Sequence, residues 1–458
     1  MSQVRAVVLA AGKGTRMKSA LPKVLHKILG RAMVKFVLDA CCAIGVDKPI
    51  LVIGHGAEQV KETLGEQAHY IIQAEQLGTG HAVLQAESLL RDFAGDVLVV
   101  CGDTPLLQGK TLAALWEYHR QQKASATVLT AITEKPAGYG RIVRDKTNRV
   151  CKIVEHKDAS DQEQAIKEIN TGTYIFAAAD LLPALQQLKP NNAQGEYYLT
   201  DVLEILNQAG KNVEGFITAD AEETMGINDK AQLAVAARKI QERINLQHML
   251  AGVTLTDPNS TYIEPDVSIG EDSIILPNTH LQGNTLIASG CTIGPNTRLV
   301  DATVSEGCEI QFSVVLESII GRYCTVGPYA YLRPGTILHS NVKVGDFVEI
   351  KKSTIGVGSK VPHLSYVGDA TVGTGVNIGA GTITCNYDGV HKFPTVINNN
   401  AFIGSNTNLV APVEVGEGAT VAAGSTITSD VPEAALGVAR SKQRNILRWR
   451  KDKPEKKD

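Results

Sequence analysis

From Ile263 to Leu299 the chain reads IEPDVSIGEDSIILPNTHLQGNTLIASGCTIGPNTRL, and Ile263, Ile269, Ile275, Leu281, Ile287, Ile293 and Leu299 fall six residues apart. Neither the 3.6-residue period of a helix nor the alternation of an ordinary strand gives that spacing. The train resumes at Ile320, Val326, Leu332, Leu338, Val344 and Ile350, and again at Ile397, Ile403, Leu409, Val415, Val421 and Ile427. A period sustained this long marks a repeat architecture. Each hexad can supply one short strand with its aliphatic side chain turned inward. The glycine that often follows, as at Gly270, Gly294 and Gly404, eases the corner because it has no Cβ. The expectation is a parallel β-helix over residues 252–458. The period does not fix its hand, and the crossover rule for parallel strands favours right.

The first 230 residues have a different grammar. Short β-branched runs alternate with helical patterns: Val4–Leu9, a helix near Met33–Ile44, Ile50–Ile53, a helix near Ala57–Leu64, then Val97–Cys101. That alternation predicts a Rossmann-like α/β domain with a mostly parallel sheet, whose ligands sit beyond the carboxyl ends of the strands, in the loops after Leu9 and Cys101. Between the halves, residues 231–251 (AQLAVAARKIQERINLQHMLA) have the spacing and strong helix formers of one long connecting helix.

Composition narrows the function classes. The 45 Lys and Arg against 48 Asp and Glu give no chain-wide basic field for nucleic acid, so small molecules are the expected partners. The eight cysteines are scattered, without paired CxxC spacing or disulfide density, which suits a reducing cytoplasm. The amino terminus has too short an apolar run for a signal peptide, and no later apolar stretch reaches the length of an integral membrane segment.

The string LAAGKGTRMKSALPKVLH, Leu9 to His26, directly follows the first strand. Its small residues let backbone N–H groups approach phosphate oxygens, while Lys13, Arg16 and Lys23 add positive charge. It is neither a Walker loop nor a GxGxxG fingerprint. The whole string resembles the signature of nucleotidyltransferases that activate sugar 1-phosphates. By that resemblance Leu9, Ala10, Ala11 and Gly12 line the UTP site and Lys23 binds the triphosphate. QAEQLGTGHA, from Gln73, is similar to the uracil-recognition segment, with Gln73 at the base edge and Gly78 and Thr79 packed close. Cys101, Gly102 and Asp103 close the next strand, Asp103 as a metal ligand. Gly140, Glu155 and Asn170 are implied to hold the N-acetylglucosamine moiety, and Asn228 to be the second protein ligand to Mg²⁺. Two protein oxygens and several phosphate oxygens suit this hard cation.

In the repeat half, SKVPHLSYVGDATVGTGVNIGAGTITCNYDGVHKFPT, Ser359 to Thr395, interrupts the hexads between about Thr384 and Thr395. An insertion in a solenoid projects as a loop, and such loops carry binding residues. The segment resembles the acetyltransferase half of the bifunctional N-acetylglucosamine-1-phosphate uridyltransferase/glucosamine-1-phosphate acetyltransferase family, which the chain matches from end to end. That resemblance implies a left-handed, trimeric hexapeptide-repeat prism. His363 is implied as the general base, since an imidazole titrating near neutrality suits that task. Arg333, Lys351, Tyr366 and Asn377 are implied to hold glucosamine 1-phosphate, and Ala380, Asn386, Tyr387, Ser405, Ala423 and Arg440 to contact acetyl-CoA. Pro362 stands before His363, where it removes a backbone donor and presses Val361 toward an extended conformation.

The resemblance thus implies a uridyltransferase domain over residues 1–230, a helical linker over 231–251 and an N-acetyltransferase domain with a carboxy-terminal tail over 252–458. Their product would be UDP-N-acetylglucosamine for peptidoglycan and lipopolysaccharide precursors. An alternative is a uridyltransferase alone, with the β-helix serving for trimerisation. A metal-dependent hydratase, using His339 and His363 on zinc, lacks a complete three-histidine pattern. The basic tail beyond Trp449 reads as a solvated end.

Overall fold

The computed structural model describes residues 3–447 and Trp449; the tail beyond Trp449, read above as solvated, lies outside the described residues. Two compact units divide between Gln241 and Glu242.

The first unit is built on a nine-stranded sheet. Its main order is Val213–Ile217, Ala126–Ile132, Glu168–Ala177, Asp96–Cys101, Val4–Ala10, Ile50–Ile53 and His69–Ile72. Neighbours pair in parallel except Glu168–Ala177, which runs against both its partners. The antiparallel hairpin Arg141–Arg144 and Val150–Val154 hangs from that reversed strand. Val97 to Val100 and Ile50 to Ile53 are buried throughout. Continuous burial is expected of a strand covered on both faces, and it explains why these runs show no alternation.

The second unit is a parallel β-helix of three sheets, with eleven, ten and nine strands. Every strand pairs in parallel with the one a full coil away, as Val344 opposes Val361. All members of the three aliphatic trains are at most 8 % exposed and form one column of core. The period slips from six to five where Leu299 gives way to Val304, Ile310 to Val315, Val315 to Ile320, Ile350 to Ile355 and Val367 to Val372. At each slip the second residue on carries a positive φ: Asp301, Phe312, Glu317, Lys352 and Asp369. A left-handed residue turns the corner one residue sooner, at a steric cost a non-glycine residue must bear.

Inside the prism Cys291, Cys308 and Cys324 stack on successive coils. Each Sγ lies 3.2, 3.0 and 3.0 Å from a carbonyl of the next coil, at Ser305, Gly321 and His339. All eight thiols of the chain are free.

The long helix spans Lys230–Leu250. The boundary between the two units falls within it. Lys239 pairs with Glu222 at 2.8 Å in the first unit. Asn245, fully buried, donates to the carbonyls of Pro258 and Thr261 in the second.

Candidate functional site

In the first unit two strand ends are brought shoulder to shoulder. Leu9 opposes Cys101 in parallel register, and the N–H of Gly102 donates to the Leu9 carbonyl at 2.9 Å. A Cβ on Gly102 would stand 3.2 Å from that carbonyl, so glycine lets the two loops start together. They open on a cavity of about 280 Å³ lined by Leu9, Ala10, Ala11, Gly12, Lys23, Gln73, Gly78, Thr79, Cys101 and Asp103, with Gln76 and Glu196 added by the structure. A larger hollow near the strand starts, around Arg5, Phe93 and Trp116, contains none of the expected residues.

Lys23 forms an ion pair with Asp103, and its Nζ lies 2.8 Å from Oδ1 of Asn228. Arg16 reaches the same oxygen at 2.8 Å. Asp103 and Asn228, far apart in sequence, therefore present oxygens to one cationic group. The donor set is all hard oxygen and a cation already bridges it, so these residues fit Mg²⁺. Among the described residues no cluster of three or more His, Cys, Asp and Glu could hold a metal by itself.

Gly140, Glu155 and Asn170 also meet. The N–H of Asn170 donates to the Gly140 carbonyl at 2.9 Å, and a Cβ on Gly140 would stand 3.4 Å from a carboxylate oxygen of Glu155. Asn170 Oδ1 accepts from the Gly172 N–H and the Tyr174 hydroxyl, both at 3.0 Å. Burial raises the Glu155 carboxyl, with Asp158, Asp201 and Glu196 adding to the effect. Cys101 connects this group to the cavity: desolvation, then the charges of Asp103 and Glu155, push its thiol up to about 12. A thiol held protonated in this way is a neutral wall rather than a nucleophile.

In the second unit, chain neighbours of successive corners form a column. Asp346 pairs in register with His363, and Oδ1 of its carboxylate lies 2.5 Å from the imidazole Nδ1. The His363 carbonyl accepts from Gly381, directly after Ala380. The Ala380 carbonyl accepts from Asn406, directly after Ser405, and the Ser405 carbonyl from Gly424, directly after Ala423. Arg440 then donates to the Ala423 carbonyl at 2.8 Å. Four of the six residues expected at acetyl-CoA thus continue the line that begins at His363. Gly345 faces Pro362, and any Cβ at position 345 would overlap the Pro362 carbonyl. Val361 is buried within the strand Lys360–His363.

Arg333 and Lys351 lie one corner away, across the face that carries Glu349 and Tyr366. Arg333 pairs with Glu349 at 2.8 Å, Glu349 opposes Tyr366, and Lys351 opposes Gly368. Asn377 sits on the adjoining sheet opposite Lys360 and Phe402. Asn386 and Tyr387 are not with the other four residues expected at acetyl-CoA. They begin the projecting loop at the Lys351 corner, where Asn386 donates to Asp369 at 2.5 Å and Tyr387 bridges to Lys392. The Lys392 ammonium, followed by desolvation and Arg333, lowers the pKa of Lys351. Three cations therefore crowd one corner, an arrangement able to neutralise a phosphate dianion.

Asp346 and Lys392 escaped the sequence reading. Lys392 lay in a loop whose composition showed polarity but no direction. Asp346 could have been found by counting one coil back from His363, had the five-residue slip been visible.

A nucleotidyltransferase α/β unit followed by a hexapeptide-repeat prism defines a two-part transferase. The description "Nucleotidyl transferase" matches residues 5–226, "GMPPB C-terminal domain" 258–355, and "Bacterial transferase hexapeptide (six repeats)" 394–429. "Bifunctional protein GlmU" of Heliobacterium modesticaldum is 58 % identical over 97 % of each chain. The proteins of that name from Geobacillus sp. (strain WCH70) and Brevibacillus brevis are 54 % and 52 % identical, over 96 % of each chain and over 100 % of this chain and 99 % of the relative. The chain belongs to the GlmU family of bifunctional proteins.

Proposed function

We propose that the chain makes UDP-N-acetylglucosamine in two steps, one in each unit. The prism acetylates glucosamine 1-phosphate from acetyl-CoA, and the α/β unit joins the N-acetylglucosamine 1-phosphate to UMP from UTP. The observation that carries the reading is the face between His363 and the Arg333–Lys351–Lys392 corner, because trimerisation alone needs neither an imidazole held by a carboxylate nor three crowded cations.

In the prism the cations hold the sugar phosphate. The Asp346 carboxylate accepts Nδ1–H of His363, so Nε2 is free to take a proton from the substrate ammonium. The amine attacks the thioester carbonyl and coenzyme A leaves as its thiol. In the α/β unit Gln73 meets uracil, Lys23 and the Gly12 loop hold the triphosphate, and Glu155 with Asn170 holds the acetamido sugar. The phosphate oxygen of the sugar attacks the α-phosphorus in line and pyrophosphate leaves. A phosphate dianion needs no base, so catalysis here is positioning and neutralisation. Asp103 and Asn228 would hold Mg²⁺, which supplies further neutralisation of the triphosphate.

Because residues for one acetyl-CoA occupy two corners of the prism, we place the complete site between subunits of a trimer. Phe312, Tyr329, Phe347 and Leu364 support this. Tyr329 stacks on Phe347 with ring centroids 5.3 Å apart, the last three residues are more than half exposed, and Leu364 adjoins His363. Free thiols throughout suit the cytoplasm, and among the described residues no helix is long and apolar enough to cross a membrane.

The test is incubation with glucosamine 1-phosphate, acetyl-CoA, UTP and Mg²⁺, omitting one component at a time. Free thiol should need only the first two, and pyrophosphate all four. Thiol release without glucosamine 1-phosphate, or a fully active monomer by light scattering, would contradict the scheme.

A further inference from the structure

Gln73 is 3 % exposed yet lines the nucleotide cavity. Its Nε2 lies 3.1 Å from the Gly78 carbonyl and 3.0 Å from Nδ1 of His81. Its Oε1 takes no donor from the described residues. The orientation of the amide follows from its surroundings, because a carbonyl can face only the nitrogen end. Gly78 cannot readily move: its φ of 113° belongs to glycine, and the loop is tied on both sides by Tyr197, whose N–H donates to Leu77 and whose carbonyl accepts from Gly80, each at 2.8 Å. His81 adds the second acceptor. On its far side Nε2 lies 3.1 Å from the amide nitrogen of Gln85, which also donates to the His81 carbonyl at 3.2 Å; this partly exposed side chain can swing off the ring and keep the carbonyl. Gln73, being buried, has no such freedom, so it fixes His81 as the tautomer with the proton on Nε2.

We infer that His81 is a positioning residue for base choice, holding the Gln73 amide with its oxygen toward the bound nucleobase. This rests on the reading that Gln73 meets the base. An oxygen so held accepts the N3–H of uracil. Cytosine has a lone pair at N3, and an amide free to rotate could satisfy either base, whereas a locked one opposes lone pair to lone pair. His81 does not line the cavity; it acts through the Gln73 amide and decides which end of it meets the base.

The experiment measures pyrophosphate release by the full chain with UTP and with CTP, using N-acetylglucosamine 1-phosphate and Mg²⁺, and thiol release by the prism as the control for folding. His81→Ala should lower the UTP-over-CTP preference in kcat/KM about tenfold or more. His81→Asn, whose Oδ1 can accept where Nδ1 stood, should retain it. General damage would weaken both nucleotides and leave the ratio alone, which overturns the inference. So does a wild-type ratio in His81→Ala when Gln73→Ala has lost its preference. A wild-type ratio in Gln73→Ala overturns the base-contact reading itself. His81→Leu, closer in volume, carries the same expectation should the alanine variant not fold.

Discussion

Asp346 and His363 stand opposite each other one coil apart, seventeen residues away in sequence, with Oδ1 2.5 Å from Nδ1. The hydrogen bond from His363 holds the Asp346 carboxyl below its usual range. The contact depends on register: Asp346 and His363 are direct partners between adjacent parallel strands, and Gly345 admits the carbonyl of Pro362 between them. The imidazole is therefore oriented by backbone geometry as much as by charge.

His363→Ala should reduce thiol release from acetyl-CoA by about two to four orders of magnitude, the usual span for a general base. Uridylyl transfer from supplied N-acetylglucosamine 1-phosphate should stay at the wild-type rate. Asp346→Leu should lower acetyl transfer through kcat, since it frees the tautomer without touching the phosphate cations, whereas Lys392→Ala should act chiefly through KM for glucosamine 1-phosphate. Thiol assays over substrate concentration distinguish these.

Asp103→Ala removes one of the two oxygens that Lys23 bridges. Pyrophosphate release should fall about a hundredfold or more, because charge held at the triphosphate is lost, and acetyl transfer should be unaffected. Wild-type pyrophosphate release would refute the metal assignment.

Truncation tests the division inside the long helix. A chain ending near Lys230 loses Lys239, which pairs with Glu222, and the buried Ala236 and Ile240. Burial of one isoleucine side chain is worth about 1.5–3 kcal/mol. A chain ending after Leu250 should keep magnesium-dependent uridylyl transfer and melt several degrees above the shorter one. Equal melting temperatures would mean that this part of the helix adds nothing to the first unit.

Asp201 gives the first unit a pH signature. Desolvation, aided by Glu204 and Asp158, raises its carboxyl from 3.8 to about 6. The folded chain then holds a proton that the unfolded chain has released, so stability falls as pH rises from about 4 to about 6 and the loss persists above that. Asp201→Asn should raise stability at pH 7.5 by about 1 kcal/mol, a figure reduced for partial exposure, and change it little at pH 4. Thermal melts at the two pH values check this.

The sequence by itself determined the repeat and the strand-end loops. A buried aliphatic every sixth residue is a local requirement of a coil that must fill its own interior, and a glycine-rich turn after a buried strand announces itself within a few residues. The loops after Leu9 and Cys101 were legible for that reason, as were the aliphatic trains, whereas Gln73 was reached through the family resemblance alone. Only the tertiary structure decided which distant residues share a site. The reversed strand Glu168–Ala177 leaves no mark in composition, since strand direction depends on pairing rather than propensity. The five-residue slips change which residues stack, so Asp346 beneath His363 and Lys392 beside Lys351 emerge only when the coils and loops are closed. Their contacts are long-range, and local sequence carries no term for them.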